Sequence, residues 1–205
     1  MEKPNKQELV PYVYSTEYLT GKSDIEIGIC LQQVGKNLTD LGYHICRYGN
    51  YKSLLLLFTV GGKGTLRYLG KTYELQMGTI MFIDCNIAHE YYGDSWEFVW
   101  VHMTGATSEG YYSYLFNKHG PVFSSTYFES HLITLSMVLN LPLKLSGVSG
   151  IETAGRILVL LNELGIESSE TEPQIGQNAG FSKVSKALDY LQKNYSRPIS
   201  LEFNS

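Results

Sequence analysis

Three short segments hold the side chains of this sequence best suited to chemistry, and in each the spacing is alternate. Tyr43, Ile45 and Arg47 share one face of GYHICRY, and Ile87, His89 and Tyr91 share one face of IAHEYY. In WEFVWVHM, Trp96, Phe98, Trp100 and His102 share a face, with Glu97, Val99, Val101 and Met103 on the other. An arginine among aromatics on a buried wall is costly unless it is paired or meets a polar ligand. A guanidinium fork suits sugar hydroxyls and carboxylates, and Trp or Tyr faces stack on sugar rings. Plainer readings stand beside these: Arg47 as an exposed strand-end residue or an internal salt bridge, Trp100 as core, His89 as a satisfied histidine at a strand end.

Other chemistries find no motif. The sequence has no G-x-S-x-G, Walker-type loop, G-x-G-x-x-G or C-x-x-C. Gly61-Gly62-Lys63-Gly64 resembles a phosphate loop only superficially, because a strand and not a helix N-terminus is expected after it.

Strands must position these residues. From Leu54 to Gly105, short apolar or alternating runs are punctuated by glycines and small turns, the pattern of antiparallel strands closing as a barrel or sandwich. Strands are predicted near 25–33, 42–48, 53–60, 64–69, 71–75, 79–83, 87–92 and 96–103. Gly61, Gly62 and Gly64 fit one hairpin turn, and Leu69-Gly70-Lys71 the next. No proline interrupts the chain between Pro11 and Pro121, which suits paired strands.

After Gly105 the period changes to about 3.6, and helices are predicted near 107–119, 127–140 and 150–165. In the last, Ile151, Ala154, Leu158 and Leu161 form a stripe with the spacing of a coiled-coil seam. It can bury on its own barrel, on a second copy of the chain, or on both. Residues 1–24 suggest a partly extended arm, and ESSETEPQIGQNAG (167–180) reads as a linker. Beyond it Val184, Ala187, Leu188, Leu191 and Tyr195 form an apolar helical face, capped by Ser182 and ended by Pro198.

Composition sets the outer limits. A 205-residue chain, 43% hydrophobic and 18% charged, can bury one main core with an appendage. Its net charge of −4 provides no broad basic face for nucleic acid. Residues 181–205 are the exception, with 4 basic and 2 acidic side chains. The three cysteines, Cys30, Cys46 and Cys85, are widely spaced and flanked by apolar residues, so buried free thiols are expected. The polar N-terminus has no signal-peptide core, and no apolar run reaches the ~20 residues of a membrane span, so the expectation is cytoplasmic with no membrane partner.

The segment Gly42–Gly105 resembles the N-terminal effector-binding domain of AraC/XylS-type transcription regulators. The residues that carry the resemblance are Arg47, the Leu54–Gly64 strand and turn, Gly70, Tyr73, Leu75, Gly78, His89, Tyr91, Trp96, Trp100, His102 and Gly105. The helical stretch 107–165 continues the same plan, and Lys183–Leu201 is similar to the opening of the family's double helix-turn-helix. The resemblance implies a mainly β fold with C-terminal helices (α+β), a cupin-like β-barrel or double-stranded β-helix followed by two to three helices. It implies three parts: a sensor and dimerisation domain (1–166), a linker (167–180) and a truncated start of the DNA-binding domain (181–205). Both recognition helices would lie beyond Ser205, so DNA would be reached only through that missing C-terminal domain.

The resemblance also implies roles. Positions matching Arg47, Tyr91, Phe98 and Trp100 line the pocket in sugar-sensing members, and His89 joins them as a ligand-binding candidate. The expected partners are a small polar, sugar-like effector and a second copy of the chain, through Ile151, Ala154, Leu158 and Leu161. Catalytic cupins hold a metal with His-x-His, a Glu and a later His. Here Tyr48–Leu55 contains neither His nor carboxylate, and only His89 of the later motif remains. One imidazole cannot hold a transition metal, so no metal, no cofactor and no enzymatic activity are expected. The alternatives are a cupin-type sugar isomerase or epimerase lacking metal, with His89 and a Tyr as its acid–base pair, and an interaction module with a filled barrel.

Overall fold

The computed structural model of the chain describes residues 28–139 and 151–167 in full, and the backbone path alone for 12–17 and 148–150. These residues fall in one compact unit, Met1–Glu170. The expected linker beyond Glu167 and the helix-turn-helix opening at 181–205 lie outside the described residues.

In chain order the strands are β1 (Tyr12–Glu17), β2 (Cys30–Leu38), β3 (His44–Arg47), β4 (Leu54–Gly61), β5 (Lys63–Tyr68), β6 (Lys71–Gln76), β7 (Thr79–Asp84), β8 (His89–Tyr92), β9 (Glu97–Thr104) and β10 (Val122–Ser124). Helix α1 (Ala106–His119) precedes β10, and α2 (Phe128–Leu139) and α3 (Val148–Ile166) follow it. One sheet runs β1-β2-β9-β4-β7-β10 and the other β3-β8-β5-β6, with antiparallel pairing throughout. The fold is mainly β and cupin-like, as the sequence implied.

β4 explains the architecture. Every side chain from Leu54 to Val60 is buried, because the strand lies between β7 and β9 and is covered on both faces. Leu55 and Leu57 point inward, where they join Met81, Ile83 and Phe98 of their own sheet and Leu66 and Tyr91 of the other. Alternation turns Leu54, Leu56 and Phe58 to the opposite face. There the Phe58 ring lies 5.4 Å from Phe128 of α2, and Phe82 of β7 lies 5.3 Å from Tyr112 of α1. A strand covered twice reads as a continuous apolar run. Each leucine so buried stabilises the fold by about 1.5–3 kcal/mol. The smaller sheet covers only its inner face, so β5 alternates, with Gly64, Leu66 and Tyr68 buried and Lys63 and Arg67 exposed.

Several expectations need correction. The strand predicted at 25–33 begins at Cys30 and runs to Leu38, after a turn at Gly28 with φ +74°. Residues 12–17 of the expected arm form β1, paired with β2 from Tyr12↔Leu38 to Glu17↔Gln33. The Gly61–Gly64 turn is no hairpin: it carries the chain from the β4 sheet to the β5 sheet. The turn at Leu69-Gly70 is one, with both residues at positive φ (52° and 73°) as a two-residue hairpin requires. Cys30 and Cys85 are buried, but Cys46 is exposed, because inward Ile45 and Arg47 send it to the outer face of β3.

The α3 stripe also divides. Ala154 and Leu161 are fully buried, together with Ile157, Leu160 and Leu164, on the side that packs against α1, α2 and β2. Leu158 is half-buried, and Ile151, Val159 and Ile166 are exposed. Ile151, Ala154, Leu158 and Leu161 therefore do not form one outward seam, because the helix's own barrel covers the inner half of an apolar surface wider than one stripe. No helix among the described residues is long and apolar enough to cross a membrane.

Trp96 fills one end of the barrel and explains Gly64. The indole is fully buried, its Nε1–H donates to Thr59 Oγ1 at 3.3 Å, and its ring centre lies 4.2 Å from that of Phe98. A Cβ on Gly64 would sit 2.7 Å from the indole. Gly64→Ala is therefore expected to destabilise the domain by about 1–3 kcal/mol through overpacking. Gly110 on exposed α1 has open space around it, and Gly110→Ala should stabilise by up to about 1 kcal/mol. Urea unfolding checks both, as opposite shifts in midpoint at constant m.

Candidate functional site

The space between the two sheets is not filled evenly. At the Trp96 end the aromatics close it, and beyond them a cavity of about 160 Å³ remains. β3 contributes Tyr43, Ile45 and Arg47, and β8 contributes Tyr91. β9 contributes Phe98, Trp100 and His102, and β4 provides Leu55 and Leu57 as an apolar floor. β2 completes the wall with Gln33 and Asn37.

The pairing of strands sets this geometry. Gln33 stands opposite His102 and Asn37 opposite Phe98, so β2 and β9 turn the same faces inward. Trp100 donates its indole N–H to Asn37 Oδ1 at 2.6 Å, which fixes the indole plane against the wall. Ile45 pairs with Tyr91 and Arg47 with His89 across β3 and β8. The Arg47 guanidinium lies over the Tyr51 ring, 4.5 Å from its centre, a cation–π contact that partly offsets desolvation.

Arg47 dominates the electrostatics. Its Nε is buried and has no hydrogen-bond partner among the described residues. The other ionisable groups of the wall are neutral near pH 7. Burial pushes the Tyr91 hydroxyl far above its ordinary value and, less strongly, that of Tyr43. Burial first, and then the Arg47 charge, lower the His102 pKa to about 4. His102 Nδ1 is 2.8 Å from Ser53 Oγ, and its ring meets Tyr51 and Trp100 edge to face.

Of the candidates named from sequence, Arg47, Tyr91, Phe98 and Trp100 all line the cavity. His89 is on the same face as Tyr91 but is not part of the lining. It is buried, parallel to Tyr91 at 6.1 Å between ring centres, and held by Ile87 O at 2.8 Å from Nδ1. Its Nε2 has no partner among the described residues, and burial lowers its pKa. Gln33, Asn37 and His102 were not named as binding residues. His102 shares the alternate face of Phe98 and Trp100, and that pattern marks it. Nothing local marks Gln33 and Asn37, because polar residues inside a barrel make β2 look like a loop. Among the described residues no three His, Cys, Asp or Glu side chains are grouped as a metal ligand set.

The His102 environment has a measurable consequence. The imidazole is disfavoured as a cation in the fold, so its contribution is complete above the unfolded value near 6.5 and is lost as pH falls towards about 4. Between pH 7 and 4.5 wild type should lose about 2 kcal/mol more than His102→Asn, which keeps a polar atom near Ser53 but cannot titrate. Urea titrations at the two pH values measure this difference, and equal losses would show that His102 is not held neutral.

Comparison with known proteins bears on this cavity. Residues 40–145 match the model of the AraC-like ligand binding domain. No curated protein matches the chain. Similar solved structures include the AraC-like transcriptional activator CuxR, with a TM-score of 0.48 and 10% identity over 92% of this chain and 81% of that one. YhaK from Escherichia coli gives a TM-score of 0.40 and 10% identity over 46% of this chain, which spans 45% of the YhaK chain. An RmlC-like cupin from Desulfovibrio desulfuricans gives 0.35 and 12%, over 51% of this chain and 96% of that one. The family match covers just over half of the 205 residues and includes the cavity walls from Tyr43 to His102, and the chain belongs to the family of AraC-like ligand-binding domains.

Proposed function

We propose that this chain is the sensor of a transcription regulator and that the barrel cavity takes a small polar, sugar-like effector. The observation that carries the reading is a single-ring-sized space in which one half-buried arginine, its Nε buried and without a hydrogen-bond partner among the described residues, faces aromatic and amide side chains. A buried polar atom left without a partner is costly, and a ligand that accepts from it would offset that cost. DNA contact belongs elsewhere, since residues 1–180 hold 12 basic and 18 acidic side chains. By sequence resemblance it falls to a helix-turn-helix that opens within 181–205. The acid–base pair that an isomerase or epimerase would need is not favoured: His89 is not part of the cavity lining, and Tyr91 is held as a neutral phenol.

A thermal-shift screen of sugars and related small metabolites tests the sensor reading, because a specific ligand stabilises only the folded state. For any compound that binds, Arg47→Ala should leave the fold largely intact and weaken binding by a few hundredfold or more. Two or more lost charge-assisted hydrogen bonds correspond to about 3–5 kcal/mol. Unchanged binding in that variant, measured by calorimetry, would make Arg47 structural.

We further propose that two copies pair through the outward face of α3. Ile151 and Val159 are each 52% exposed and Ile166 is 75% exposed, on a helix whose other half is already buried. Replacing Ile151 and Val159 with Lys places like charges at a two-fold contact and should give a monomer with an unchanged unfolding midpoint. Sedimentation velocity decides, and an unchanged dimer would put the interface on another surface.

A further inference from the structure

The charge inside the cavity narrows the ligand class. Arg47 is the one lining residue with a fixed charge, and no Asp or Glu is part of the wall. Among the described residues Arg47 has no ion-pair partner, whereas Lys36, Arg67 and Arg156 each have one within 3.3 Å. The arginine thus lines the cavity with no anion among the described residues to match it. Its contact with the Tyr51 face attracts the cation but supplies no hydrogen-bond acceptor. Elsewhere on the wall, His102 is already engaged with Ser53, and Asn37 gives its Oδ1 to Trp100 and keeps its amide N–H donors. The wall therefore supplies one positive charge and neutral groups that can donate or accept, opposite aromatic faces.

We infer that the effector is an anion, a monocarboxylate with hydroxyls no larger than one sugar ring, its carboxylate on Arg47 and a hydroxyl on Asn37. The inference rests on the sensor reading above and goes beyond it in assigning the charge. Size limits the ligand to about one ring, since the cavity measures about 160 Å³ and is open on one side. Charge agrees as well. The buried imidazoles His102 and His89 resist protonation, so an incoming carboxylate finds a site with net charge +1 and cancels it. A neutral sugar would leave the guanidinium without a counter-charge, and an amino sugar would repel it.

The experiment is calorimetric titration of the full chain at low salt with D-glucuronate, D-galacturonate and D-gluconate, alongside D-glucose, D-galactose and D-glucosamine. At least one acid should bind about tenfold or more tightly than its neutral counterpart, and glucosamine should not bind. In Arg47→Gln the acid-to-neutral ratio should fall to about twofold or less, and Arg47→Lys should retain a preference for the acid. Without ligand, Arg47→Gln should unfold at the same temperature as wild type or higher, because it removes an unmatched charge. Neutral sugars that bind as tightly as the acids would overturn the anion assignment and leave the sensor reading standing. Binding by neither set would remove both. A marked drop in the unfolding temperature of ligand-free Arg47→Gln would show that the guanidinium holds the fold together, and that result too would overturn the assignment.

Discussion

The burial of β4 on both faces is the constraint from which the rest of the structure follows. A strand with no exposed side chain from Leu54 to Val60 must have a layer on each side. The second sheet provides one layer and the three helices the other. The inner layer then faces a geometric problem, since strands of eight residues such as β4 and β9 enclose more length than the aromatics of one end can fill. Trp96, Phe98, Tyr91 and Tyr43 pack against one another with ring centres 4.2–6.5 Å apart. Beyond that plug the walls are lined by amides, an indole edge, an imidazole and a guanidinium, and the space remains open.

Arg47 is tolerated in this interior because the strand pairing leaves it few alternatives and the neighbours adapt to it. Its position opposite His89, one residue beyond the exposed Cys46, fixes its face on β3. Its charge helps to hold His89 and His102 neutral, in addition to the larger effect of their burial. It also favours the thiolate of Cys85, yet burial outweighs it and pushes that thiol up to about 12. The interior therefore has one charge and a set of neutral polar groups. A ligand held there would be selected by charge as well as by shape.

Most of the barrel was legible in the sequence because its strands obey two simple patterns. The outer sheet alternates, as in β5, and the doubly covered β4 is continuously apolar. The predicted helices match α1, α2 and α3 to within two residues at each end. Legibility failed where an inward position is polar or an outward one apolar. Gln33 and Asn37 disguised the second half of β2, and the apolar neighbours of Cys46 hid its exposure. α3 shows the limit of periodicity. It identifies the apolar surface but does not divide it between the chain's own barrel and another partner, so Ala154 and Leu161 were assigned outward and lie inward. His131 carried no pattern at all. It is fully buried between Ser125, at 3.0 Å, and the carboxylates of Glu163 and Glu167 at 3.5 and 3.6 Å, a tertiary tie from α2 to the end of α3.

β9 connects the cavity to the helices. Its inward residues Phe98, Trp100 and His102 form cavity wall, while Val99, Val101 and Met103 are buried on the opposite face, the side on which α1 and α2 contact the strand. Gly105 then leads directly from β9 into α1, in whose first turn the Thr107 and Ser108 N–H groups donate to Gly28 O ahead of β2. Gly105 lies so close to that carbonyl that a Cβ would sit 2.4 Å from it, so the junction has no slack. The 2.6 Å hydrogen bond from Trp100 to Asn37 ties the cavity face of β9 to that of β2, so a ligand that displaces the indole would act on both strands. Close-packed layers do not absorb such a shift locally. α1 and α2 contact β9, and α3 packs on both helices. The cavity and the outward face of α3 are thus linked by covalent chain and buried contacts alone, and that linkage is the physical basis on which occupancy of the barrel can bias what the helices bind.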